Sequence, residues 1–171
     1  MGTEIEHKFL VIPAKLPRPL GAGEKIEQGY LSTLPTVRVR IISRGKRQRA
    51  WLTIKGASRG YGRGRAGRRV AHGPLVRAEF EYGIPVPEAR ALLALCDGRT
   101  LTKIRRRLDG WELDQFTGRH RGLWLAEFEL KPNRPRLPPL PPWIGPEVSS
   151  DPRFSNACLA LLKRPLRFRL A

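Results

Sequence analysis

The sequence predicts a mainly β protein of eight antiparallel strands with two helices beside them. Three observations predict it. Eight segments alternate polar and apolar side chains and are rich in β-branched and aromatic residues. The stretches between most of them are short, which favours antiparallel pairing over helical crossovers. Only two segments carry apolar residues at helical spacing. Eight antiparallel strands suffice to close into a barrel that holds a small ligand.

In chain order, the first strand (3–11) puts Glu4, Glu6 and Lys8 on one face, with Ile5, Phe9 and Val11 on the other. Two more strands follow at 26–33 and 36–43, the latter setting Arg38 and Arg40 against Val37, Val39 and Ile41. In the strand 50–56, Lys55 lies opposite Leu52 and Ile54. The stretch 56–69 (GASRGYGRGRAGRR) has no period. It reads as a solvated loop, or more sharply as a flap that meets a polyanion. The strand 77–84 carries Glu79 and Glu81 around Phe80, and 85–96 reads as a helix with Ala89, Leu92, Leu93, Leu95 and Cys96 on its apolar side.

Strands at 101–108, 110–116 and 123–131 then present Lys103/Arg105/Arg107, Glu112/Asp114 and Glu127/Glu129. The proline-dense 131–147 cannot carry a helix and reads as a rigid connector. A second helix is expected over 155–163 with Ser155 as its N-cap, followed by a charged surface tail.

At 171 residues and 40% hydrophobic, the chain has the length and composition of one folded domain. Two cysteines, in no CxxC pair, argue against a disulfide framework or a zinc site and suit a reducing cytosol. No run of 18 apolar residues exists, and the acidic N-terminus lacks a signal-peptide core, so a cytoplasmic protein with no membrane span is expected. The net charge of +18 selects polyanionic partners. Of the 33 basic residues 25 are Arg, which suits bidentate phosphate binding but would equally follow from a genome-wide bias.

Four carboxylate pairs at i, i+2 account for eight of the fifteen acids, and all four lie on strands. Such faces can be the wet outside of a sheet, with Arg and Glu paired across strands. They can instead line an interior. The pattern alone does not choose, because each strand's other face is strongly apolar and must be buried either way. The chemistry leans inward. Acid sets supply the oxygen ligands that a hard divalent cation takes, and Lys and Arg take phosphate oxygens. Interleaved in one cavity, they suit a metal–phosphate ligand.

EIEHKFLV resembles the ExExK signature of the CYTH superfamily, the triphosphate tunnel metalloenzymes. The likeness continues in order through QGYL (28–31), VRVR (37–40), LTIKG (52–56), EFEYGIP (79–85), LTKIRRR (101–107), WELDQF (111–116), AEFEL (126–130) and DPRFSNACLA (151–160). The resemblance implies one CYTH-like domain over 1–171, an α+β fold whose body is a closed eight-stranded antiparallel β-barrel. The barrel forms a tunnel with the charged faces inward and a few flanking helices. It implies a triphosphate as substrate and Mg²⁺ or Mn²⁺ as cofactor.

Carried over by position, Glu4, Glu6, Asp114, Glu127 and Glu129 are the expected metal ligands. Lys8, Arg38, Arg40, Lys55, Lys103 and Arg105 are the expected phosphate binders. Lys8 and Lys103 are candidates to assist the departing oxygen, and Tyr30 stands near the substrate. Glu79, Glu81 and Glu112 are expected to orient the cations. His7 should point away from the tunnel. Arg107, the long Gly/Arg loop and the Pro-rich stretch depart from the family pattern.

The expected reaction is metal-dependent hydrolysis of inorganic tripolyphosphate to pyrophosphate and phosphate. A class IV-type adenylyl cyclase is the alternative within enzymes. A non-catalytic polyphosphate- or RNA-binding protein is the alternative outside them. The expected partner is a small triphosphate or polyphosphate. Nucleic acid is disfavoured for want of an aromatic stacking platform. Oligomeric state is left open, with a homodimer admitted.

Overall fold

The computed structural model describes residues 2–56, 59–60, 75–131 and 136–169, with side chains described at 5–56, 78–131 and 136–169. In chain order the strands are β1 (Gly2–Val11), β2 (Glu24–Thr33), β3 (Thr36–Arg44), β4 (Arg47–Lys55), β5 (Arg59–Gly60) and β6 (Leu75–Ile84). After helix α1 (Val86–Ala94) come β7 (Thr100–Leu108), β8 (Trp111–Phe116), β9 (Trp124–Glu129) and β10 (Ile144–Glu147), then helix α2 (Asn156–Leu161). The strands form one antiparallel sheet in the order β10-β1-β9-β8-β7-β2-β3-β4-β6-β5. In addition β1 pairs with β6, from Gly2 opposite Glu79 to Glu6 opposite Leu75.

Local chemistry explains the tight connections. Asp109 and Gly110 both adopt positive φ, 50° and 86°, between Leu108 and its partner Trp111. That is the two-residue turn whose twist matches an antiparallel pair. α1 starts on Pro85 and Val86-Pro87, where a missing N–H costs nothing. Ser155 caps α2 as expected, accepting from the Cys158 N–H.

Two strands exceed the eight expected, both at the ends of the sheet order. β10 lies within the stretch expected to be a connector. It is short, and its Pro146 is tolerated because an edge strand does not need every backbone donor. The rest of that segment covers the sheet: Trp143 and Leu137 pack on Phe9, Trp111, Leu113 and Phe128 of β1, β8 and β9. The Gly/Arg loop 56–69 lies almost wholly outside the described residues.

The apolar strand faces are buried outward. α1 covers Val39, Ile41 and Ala50 of β3 and β4 through Ala89, Leu92 and Leu93. It comes close because Gly29 on β2 has no side chain. A Cβ there would meet Cys96 Sγ at 2.6 Å and Leu93 Cδ2 at 3.0 Å. A third cluster lies instead on the charge-bearing strand faces, at one end, where it joins Leu10, Leu101, Phe116 and Leu125 to Phe154 and Leu159 of the C-terminal segment.

Candidate functional site

With the apolar faces covered from outside, the alternate faces turn toward one another. They line a single cavity of about 560 Å³. β1 contributes Glu6 and Lys8, β2 Gln28 and Tyr30, β3 Arg38 and Arg40, and β4 Arg49, Trp51 and Lys55. β6 adds Glu79 and Glu81, β7 Lys103, Arg105 and Arg107, β8 Glu112, and β9 Glu127 and Glu129. The strand period of two is what gathers them.

On one side, Asp114 of β8 lies wholly buried behind the lining, at 0% exposure. It accepts from Lys103 Nζ at 2.5 Å, and from Arg105 Nε and Nη2 at 2.6 Å each. Arg105 also donates to Glu127 at 2.7 Å and to Glu112. Lys8 pairs with Glu127 at 3.0 Å and with Glu6 at 3.3 Å. The result is a dense alternation of signs. Burial opposes the charge on Lys8, but Glu127 and Glu6 override it and raise its pKa. Burial likewise opposes ionisation of Glu127, yet Lys8, Lys103 and Arg105 hold its carboxyl well below the usual range. Lys103 differs: burial pushes its ammonium below the ordinary lysine value, and Asp114 only partly offsets this.

On the other side, Glu81 accepts from Arg40 and from Thr53, each at 2.9 Å. Lys55 pairs with Glu79 at 2.9 Å, and Arg38 lies 3.7 Å from Glu81. The acids thus hold the cations in place. The Nε atoms of Arg38 and Arg40 are buried, with no hydrogen-bond partner among the described residues. Such donors are costly to leave unmet. They mark where an anion's oxygens would be welcome.

Every predicted phosphate binder lines this cavity, as do Tyr30, Glu6, Glu127 and Glu129. Asp114 stands behind it. The Glu4 side chain lies outside the described residues. His7 points away from the cavity and pairs with Glu147 of β10 at 2.8 Å. Glu6 is directly opposite Glu129, and Lys8 opposite Glu127, across β1 and β9. Oxygen donors of this kind fit a hard divalent cation. Among the described residues, no three His, Cys, Asp or Glu side chains gather into a ready-made metal cluster. Cations stand between the carboxylates, as Lys8 does between Glu6 and Glu127.

Sequence reasoning missed Gln28, Trp51 and Asn156. Gln28 donates to the Tyr30 hydroxyl at 2.8 Å and shares its strand face, a signal present in QGYL. Trp51 lies between Arg40 and Arg49, each 5.5 Å from its ring, and shares the face of Lys55. Asn156 had no such signal, because it reaches the cavity from outside the strands.

No family model matches the chain. Two curated relatives are each named inorganic triphosphatase. One, from Acetivibrio thermocellus, is 36% identical and aligns over 98% of this chain and 97% of its own. The other, from Nitrosomonas europaea, is 34% identical over 93% of this chain and 97% of its own. The crystal structure of the inorganic triphosphatase NE1496 superposes with a TM-score of 0.56 at 29% identity, covering 96% of this chain and 98% of that one.

Proposed function

The chain belongs to the inorganic triphosphatase family, of CYTH type, and on that premise we propose that it cuts inorganic tripolyphosphate to pyrophosphate and phosphate in the charged cavity. It is a hydrolase of phosphoanhydride bonds. The observation that carries the reading is the convergence of seven strands' cations and carboxylates on one cavity, with two buried guanidinium Nε donors unmet among the described residues. The β1–β6 pairing supports reading the sheet as a closed eight-stranded tunnel, with β5 and β10 added at its margins. Three hydrophobic clusters around one sheet support a single domain over 1–171. Two free cysteines suit the cytoplasm, and among the described residues no helix is long and apolar enough to cross a membrane.

Arg38, Arg40 and Lys55 receive phosphate oxygens while Glu79 and Glu81 keep them aimed. Lys8 and Arg105 stay charged and balance the substrate from the other side. Lys103 suits the departing oxygen better than Lys8, since its proton is held less tightly. Gln28 orients the Tyr30 hydroxyl near the substrate. Asp114 stands behind the cavity lining with both oxygens taken by cations, so the role we give it is to hold Lys103 and Arg105 in place. Glu4, Glu6, Glu127 and Glu129 would hold Mg²⁺ or Mn²⁺, which when bound neutralises phosphate charge and activates the attacking water.

The test is a phosphate-release panel with tripolyphosphate, pyrophosphate, thiamine triphosphate and ATP, each with Mg²⁺ and Mn²⁺. Release from tripolyphosphate should need the metal and fall at least about 100-fold in the folded Glu4→Ala/Glu129→Ala double variant. Wild-type rates in that variant would overturn the assignment. Cyclic AMP and pyrophosphate from ATP would point to the cyclase instead.

A further inference from the structure

The inward strand faces change character partway along. Beyond Lys8, Lys103, Asp114 and Glu127 the same faces carry Leu10, Leu101, Phe116 and Leu125, all buried. These pack with Phe154 and Leu159 of the C-terminal segment, so apolar side chains fill one end of the space between the strands. Lys103 marks the boundary, its ammonium 5.6 Å from the Phe116 ring. Asn156 sits at the same boundary. It lines the cavity, and its Oδ1 accepts from Lys103 Nζ at 3.3 Å.

The neighbouring Ser155 hydroxyl is engaged by the Cys158 N–H. The Asn156 amide has its oxygen on Lys103, and among the described residues its NH₂ group has no acceptor, which leaves a neutral donor in the cavity lining. The segment that carries it is fastened. His120 Nε2 lies 2.8 Å from the Leu159 carbonyl oxygen, and Arg119 donates to that of Leu162 at 2.5 Å.

We propose that Asn156 is a specificity-determining residue that closes the inner end of the cavity, so that the site takes the free end of a linear phosphate chain. This rests on the triphosphatase reading above. The amide donates to a terminal phosphate oxygen beside Lys103. A chain capped at both ends has no free terminus to place against that wall. A neutral amide suits the position, because a carboxylate there would pair with Lys103 and repel the phosphate.

The experiment uses the full chain with Asn156→Ala and Asn156→Asp, and Asn156→Ser in place of the former if it does not fold. Steady-state kinetics are run on tripolyphosphate and on diadenosine triphosphate, which is capped at both ends. Calorimetry then measures tripolyphosphate binding in EDTA. Loss of one hydrogen bond to a charged group should raise KM and the calorimetric Kd roughly tenfold in Asn156→Ala, with kcat within about threefold. Asn156→Asp should raise both by more. The wild type should discriminate against the capped substrate at least about tenfold in kcat/KM.

Unchanged KM and Kd in folded variants would overturn the proposal. So would equal wild-type efficiency on the two substrates. A wild type that binds tripolyphosphate but releases no phosphate would sink the triphosphatase reading, while the calorimetric comparison still decides the Asn156 contact.

Discussion

Asp114 illustrates how much one buried carboxylate can organise. It reaches no solvent, and two cations donate to it from β7. The pattern WELDQF puts Glu112 and Asp114 on one face, and to that extent their place was legible. Their division of labour was not. Which acid meets a cation and which faces the cavity depends on the stagger between β7 and β8, where Arg105 is opposite Asp114 and Arg107 opposite Glu112. Removing one partner of a buried ion pair leaves the other charge uncompensated, at a cost of about 3–5 kcal/mol. Asp114→Ala should therefore lower unfolding stability by roughly that amount in urea titrations. It should also reduce kcat/KM at least about tenfold by releasing Lys103 and Arg105. A folded variant of wild-type stability would show that the two cations find other partners.

At the scale of elements, strand alternation was the readable signal, and its period put Glu6, Lys8, Arg38, Arg40, Lys55, Lys103 and Arg105 on the strand faces that line the cavity. Helix α1 was also readable from Ala89, Leu92 and Leu93, though it stops two residues before the expected end. What was hidden was covering. Nothing in the sequence says that the proline-dense segment lies over Trp111, or that the end of α1 seats Cys96 against Gly29. A methyl group at 29 would force Cys96 and Leu93 to move, since both come within 3.0 Å of the added carbon. Gly29→Ala should cost about 1–3 kcal/mol in denaturant unfolding. Adding Cys96→Ala should restore part of it by removing the sulfur. Full tolerance of Gly29→Ala would mean that the helix end shifts freely.

The whole molecule carries a net charge of +18 and an interior where cations slightly outnumber carboxylates. A polyanionic substrate should be drawn in from a distance, and salt should screen that attraction within about a Debye length. Raising KCl from 20 to 300 mM, a chosen range of about fifteenfold, should raise KM for tripolyphosphate several-fold with little change in kcat. A flat KM would place the recognition wholly within the cavity. From the residues alone came the strands, the two charge-bearing sets and the class of partner, because a period of two and a charge balance are local properties of the chain. The direction in which the charged faces point was decided by tertiary structure. So were the apolar fill at one end and the arrival of Asn156. Each depends on what a distant segment covers, and burial belongs to the assembled fold.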